Sequence, residues 1–190
     1  MDLSALRKTP PRVSARSEKR VSRIFTVESQ HLVFSNGAEA DYERIRSGRG
    51  AVMCVPFDGE SFILAVEYAA GLERYDLSFV KGKIDEHEDC RAAAERELQE
   101  EIGMGARNFE LLKDELTVAP GMLELKMYVY LCTELYQSKL EGDEPEQIDC
   151  VHVSINEAKD LIFKKDSVLT ESRSIAALTL ALHRLGHLGS

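Results

Sequence analysis

Residues 89–102 read Asp-Cys-Arg-Ala-Ala-Ala-Glu-Arg-Glu-Leu-Gln-Glu-Glu-Ile and stop at Gly103. Good helix formers closed by a glycine predict a helix here. At ~100° per residue, Glu97, Glu100 and Glu101 share an arc of about 100° on that helix. They also lie at its C-terminal end, where each exposed negative charge opposes the helix dipole by ~0.3–1 kcal/mol. Like charges four residues apart cost a further ~0.2–0.5 kcal/mol per pair. Selection for stability alone places Lys or Arg there, and local conflicts of this kind tend to mark functional sites. A hard divalent cation such as Mg²⁺ reverses the sign of the problem, because it prefers oxygen ligands. A solvated acidic face is the plain alternative.

The runs on either side of this helix read as strands. Phe25 and Val27 alternate with polar neighbours, and Leu32 to Phe34 leads into Asn36-Gly37, a signal for a two-residue hairpin turn, with Ala38 to Ile45 returning. Ala51 to Val55 and Phe62 to Val66 flank Asp58-Gly59, and Tyr75 to Val80 follows. Phe109 to Leu116, Leu125 to Leu135 and Ile148 to Val153 are later strands. Asn156 is positioned to cap a short helix to Phe163, and Ser172 to Leu185 is an amphipathic helix ahead of Gly186. Strands interleaved with helices predict an α/β class, a mixed sheet with helices packed on it.

A chain of 190 residues, 44% hydrophobic and 30% charged, suits one domain with a sizeable core. Charge is unevenly placed. Residues 1–49 carry ten Lys/Arg against six Asp/Glu, whereas the whole chain has a net charge of −9. The acidic balance argues against nucleic acid as a partner, and no apolar run approaches the ~18 residues of a membrane span. Cys54, Cys90, Cys132 and Cys150 form no Cys-x-x-Cys pair, so reduced thiols and a cytoplasmic setting are expected. Residues 1–23, basic and containing Pro10-Pro11, are expected to be a flexible arm. The domain then spans 24–190 and includes a hairpin at 24–46.

Across Gly82 to Met104 the spacing is more specific than the helix alone. Gly82, Glu88, Arg96-Glu97, Glu100-Glu101 and Gly103 stand at the defined positions of the Nudix box, and the chain resembles that family. The resemblance implies a Nudix fold, a mixed sheet between helices with the box as a loop–helix–loop. It implies hydrolysis of a nucleoside diphosphate linked to another moiety. Glu97, Glu100 and Glu101 would then be the principal metal ligands, with Glu88 auxiliary, and the cofactor Mg²⁺ or Mn²⁺ in its place. Arg96 would pair with an acidic partner and orient the set.

Outside the box, Phe34-Ser35-Asn36-Gly37, Tyr42-Glu43-Arg44, Glu67-Tyr68, Lys81-Gly82 and Leu140 to Glu146 resemble the bacterial branch that acts on ADP-ribose, ADP-sugars, diadenosine polyphosphates and NADH. That likeness implies cleavage to AMP plus a phosphorylated remainder. It implies substrate contacts from Arg44, Arg46, Glu67, Lys81 and Pro120, the proline standing sixteen residues beyond Met104. It also implies a homodimer. Related hydrolases draw a general base from the loop that here holds Glu144 and Glu146, of which Glu146, preceding Gln147-Ile148, is the better match. Val66, where the branch commonly has Arg, and Met122, in place of an aromatic, depart from it. A Nudix-fold sensor that binds such nucleotides without turnover is the alternative function, although a pure binder need not keep Glu97, Glu100 and Glu101.

Overall fold

The computed structural model describes residues 1, 3–142 and 145–189, apart from the side chain of residue 5. By its internal contacts the chain divides into two units, one formed by residues 1–48 and 118–125, the other by 49–117 and 126–189.

The first unit is a three-stranded antiparallel sheet in the order β1-β2-β3, with β1 at Arg12–Arg20, β2 at Thr26–Val33 and β3 at Glu39–Ile45. The expected hairpin is present. Its turn is one residue longer than Asn36-Gly37 suggests, because the Phe34 amide donates to the Ala38 carbonyl (2.9 Å) around residues 35–37. Gly37 takes φ 81°, a conformation that suits a residue without Cβ. The basic segment expected as a flexible arm instead holds β1, paired with β2 from Arg12↔Val33 to Arg20↔Thr26. Every residue of β1 is exposed, so no apolar alternation announces it. The backbone ladder and cross-strand charges hold it. The end of β3 is tied to residues 118–125: the Ile45 amide donates to the Met122 carbonyl (2.8 Å) and the Glu124 amide to the Ile45 carbonyl (3.0 Å).

At the centre of this sheet Glu28 is fully buried, with a side-chain exposure of 0%. Its oxygens accept from Arg44 Nε (2.8 Å) and Arg46 Nη1 (3.0 Å), from the Gln30 amide, and pair with Arg16 (3.6 Å). Glu124 pairs with both Arg44 and Arg46, and Glu18 with Arg46. Burial alone pushes the Glu28 carboxyl up. The hydrogen bonds from Gln30 and Arg44 and the Arg44 and Arg16 charges outweigh it and hold the group down at about 2.

The second unit contains two sheets. One has the order β7-β4-β9-β8, with β4 at Ala51–Pro56, β7 at Val80–Lys83, β8 at Met104–Thr117 and β9 at Lys126–Gln137. Its β4 and β9 run parallel, and its other pairs antiparallel. The other sheet is antiparallel, β10-β5-β6, with β5 at Ser61–Ala69, β6 at Arg74–Ser78 and β10 at Asp149–Ser154. The runs flanking Asp58-Gly59 thus enter different sheets. The single strand expected over Tyr75 to Val80 likewise divides at Phe79, which is buried and donates its amide to Ser174 Oγ (3.1 Å).

Every residue of β4 is buried. Val52 and Cys54 pack in one core with Ala93, Ala94 and Leu98 of α1 (Cys90–Ile102). Met53 and Val55 point to the opposite face by strand alternation. Two further helices complete the unit, α2 at Ile155–Phe163 and α3 at Ser172–Arg184. The cap of α2 is Ser154 rather than Asn156, since its Oγ and the Glu157 carboxylate form a reciprocal capping box. All four cysteines are free thiols, and among the described residues no helix is long and apolar enough to cross a membrane.

The Glu28 cluster generates a prediction. Its carboxyl has a depressed folded-state pKa, so its contribution to stability is complete above the ordinary glutamate range near 4.5 and is lost as pH falls toward 2. Glu28→Gln should melt several degrees below wild type at pH 7. The gap should narrow in melts recorded below pH 4.5, and a gap independent of pH would contradict the assignment.

Candidate active site

The box helix is fixed at both ends by its sequence. The Asp89 carboxylate accepts from the amides of Arg91 and Ala92, both at 2.9 Å, supplying partners for two of the helix's otherwise unpaired donors. Gly103 closes the helix at φ 69°, its amide bonded to the Leu98 carbonyl. Between these caps the apolar stripe of Ala93, Ala94 and Leu98 is buried against β4 and β7, which sets the rotation of α1. Glu97, Glu100 and Glu101 then line one open cleft with Arg96, Lys81 and Gly82.

Arg96 holds most of this arrangement. Its Nε and Nη2 donate to the two oxygens of Glu88, each at 3.0 Å, a bidentate pairing. Nη1 donates to Glu97 Oε1 (2.7 Å) and Glu100 Oε2 (2.9 Å), and Nη2 to the Lys83 carbonyl (2.9 Å). One guanidinium therefore ties the loop after β7, β7 itself and two turns of α1. The Glu88 carboxyl is held below its usual range, chiefly by the Arg96 hydrogen bonds.

Two glutamates are placed at a cost. Glu97 is buried to within 9% of full burial and packs against Gly82, where a side-chain Cβ would come within 1.9 Å of the carboxylate carbon. Only glycine leaves room for it. Burial pushes the Glu97 carboxyl up, against the pull of Arg96. Glu101 is the more exposed conflict in chemical terms. Its Oε1 accepts a long bond from the Lys81 amide (3.4 Å), while its buried Oε2 receives no N–H or O–H donor among the described residues. Burial and the neighbouring Glu67 carboxylate push Glu101 well up, only partly offset by Lys81. Lys81 Nζ is itself held by Glu67 Oε2 (2.6 Å) and Ser78 Oγ (3.0 Å).

A buried carboxylate oxygen facing another carboxylate calls for a proton or a cation. The donor set is all oxygen, which suits a hard divalent ion, and the glycine cradle keeps Glu97 beside Glu101. Among the described residues no three carboxylate, imidazole or thiol groups close on one point as they stand, and the Arg96 guanidinium lies between Glu97 and Glu100. In chemistry the residues fit a divalent cation held by Glu97, Glu100 and Glu101, with Glu88 committed to Arg96.

The remaining sequence-derived residues divide. Lys81 lines this cleft, and Glu67 stands behind it as the partner of Lys81 Nζ. Glu146 lines an adjoining depression with Glu100 and Glu101 and accepts from Tyr75 Oη (2.7 Å); Glu144 lies outside the described residues. Arg44, Arg46 and Pro120 belong to the first unit. There the two arginines pair with Glu28 and Glu124, and Pro120 sits in the turn before Met122, whose side chain is exposed. Sequence reading missed the buried Glu28, although the hairpin register that pairs Glu28 with Arg44 is a signal for it. Nothing local marked the contact of Tyr75 with Glu146.

Comparison with known proteins agrees with the geometry. The NUDIX domain family model matches residues 48–172, and the NudE-type Nudix hydrolase N-terminal domain matches residues 11–44. The chain is 45% identical over 160 residues to the ADP compounds hydrolase NudE of Escherichia coli K12, covering 84% of each. It is 29% identical over 161 residues to the methanol dehydrogenase activator of Bacillus methanolicus, covering 82% of this chain and 84% of the relative. A crystal structure of an ADP compounds hydrolase superposes with a TM-score of 0.86 at 40% identity, covering 95% of this chain and 98% of that one.

The cradle yields the second prediction. Gly82→Ala should displace the Glu97 carboxylate and lower kcat by about 10²-fold, with little change in circular dichroism. Wild-type turnover by that variant would show that the packing of Glu97 on Gly82 is immaterial to activity.

Proposed function

This chain belongs to the Nudix hydrolases, in the NudE-type branch, and we propose that it hydrolyses the diphosphate of ADP-linked compounds to AMP and a phosphorylated remainder. The observation that carries the reading is the buried Oε2 of Glu101, without a donor among the described residues, beside Glu97 on the face of α1 that Arg96 organises. A protein that only binds nucleotide has no need of such a costly carboxylate set. The ADP compounds hydrolase relative, at 45% identity, supports the substrate class.

When bound, Mg²⁺ or Mn²⁺ supplies neutralisation of the diphosphate and a water of lowered pKa. Glu97, Glu100 and Glu101 would hold it. Arg96 keeps Glu97 and Glu100 in place through one oxygen each, and Glu88 keeps Arg96 in place. Lys81, anchored by Glu67 and Ser78, presents a cation to the negatively charged diphosphate. Glu146 takes the proton of the attacking water, whose oxygen bonds to one phosphorus as the bridging P–O bond breaks. Its position beside Glu100 and Glu101 supports that role.

Arg44 and Arg46 are about a third exposed despite their carboxylate partners, enough to meet a substrate phosphate, and Pro120 shapes the neighbouring segment. The reading includes a homodimer, supported by the outer strand β1, which is exposed along its whole length.

A nucleotide panel assayed for AMP release tests the reading. ADP-ribose and other ADP conjugates should exceed 8-oxo-dGTP and the ordinary deoxynucleoside triphosphates in kcat/KM. A clear optimum at any nucleoside triphosphate would refute it.

A further inference from the structure

One contact joins the acidic loop to the sheet. Tyr75 lies on β6, and its hydroxyl donates to Glu146 Oε1 at 2.7 Å. The ring is braced: Tyr75 pairs across the ladder with Tyr68 of β5, and the two rings meet edge to face with centroids 5.7 Å apart. Among the described residues, Glu146 has no such support from its own segment. Residues 145–148 belong to no strand or helix, and β10 begins only at Asp149. A donor carried by a strand thus holds a carboxylate carried by an irregular loop, at the edge of the depression that Glu100 and Glu101 also line.

We infer that Tyr75 is a positioning residue for the hydrolysis: it holds Glu146 through Oε1 and leaves Oε2 to accept the proton of the attacking water. The inference rests on the reading of Glu146 as the base. Without the phenol, the carboxylate samples the rotamers of an exposed side chain, and only some of them reach the water. The acceptor suits the donor. The hydrogen bond to Glu146 pushes the Tyr75 phenol above its usual range, so the donor keeps its proton at neutral pH. A purely structural purpose fits less well, because both partners are exposed and a bond between exposed groups adds little to global stability.

Tyr75→Phe removes the hydroxyl and keeps the ring against Tyr68. Its kcat should fall by about 5- to 20-fold, with KM within about twofold and the melting temperature unchanged. Glu146→Gln alone should lose ~10²–10⁴ in kcat. In the double variant the Tyr75 change should add no further loss, because the phenol acts only through Glu146. If Glu146→Gln falls and Tyr75→Phe keeps wild-type kcat, the positioning role is overturned and the base stands. If Glu146→Gln itself turns over normally, the reading of the base has failed. If Tyr75→Phe costs as much in the Glu146→Gln background as in wild type, Tyr75 acts independently of Glu146 and the inference is wrong.

Discussion

The Arg96 guanidinium is the interaction on which the site depends. Its three nitrogens reach Glu88, Glu97, Glu100 and the Lys83 carbonyl, so it binds the loop, the strand and the helix of the box into one piece. A lysine at this position has neither the planar fork nor the number of donors to do so. The cluster also offsets part of the repulsion among acidic groups at the unfavourable end of α1. The helix is therefore stable enough to present carboxylates where its own dipole disfavours them.

Two glutamates, Glu28 fully buried and Glu101 half-buried with its Oε2 enclosed, show how differently one chain treats the same charge. Glu28 is surrounded by donors, from Arg44, Arg46 and Gln30, and its carboxyl is held down at about 2. That is a carboxylate whose electrostatics are already satisfied within the sheet. Glu101 faces Glu67 and has an oxygen without a donor among the described residues, and burial pushes it up. Breaking a satisfied buried pair costs stability, whereas an unsatisfied group in a cleft is characteristic of a functional site. In the first unit a glutamate organises arginines, and in the second an arginine, Arg96, organises glutamates.

Much of this was legible in the residues. The helix, its glycine stop and its carboxylate face followed from composition and a period of 3.6, and the family from the spacing of Gly82, Glu88, Arg96-Glu97, Glu100-Glu101 and Gly103. The hairpin followed from Asn36-Gly37. What escaped the sequence lacked local signals. Strand β1 is polar on both faces and is held by its partner, so alternation could not reveal it. The division of Tyr75 to Val80 at Phe79 depends on which sheet each half joins, and on Ser174, ninety-five residues away in sequence. The Tyr75–Glu146 contact spans seventy-one residues and follows from the packing of a loop on a strand.

Glu101 Oε2 is buried and receives no donor among the described residues, and a divalent cation would complete its surroundings. Calorimetric titration with Mn²⁺ of wild-type protein and of Glu101→Gln, both checked for native circular dichroism, tests it without reference to turnover. Wild type should bind the ion, and the variant should bind at least about tenfold more weakly, a loss of about 1.4 kcal/mol. Equal affinity in the two proteins would contradict the account.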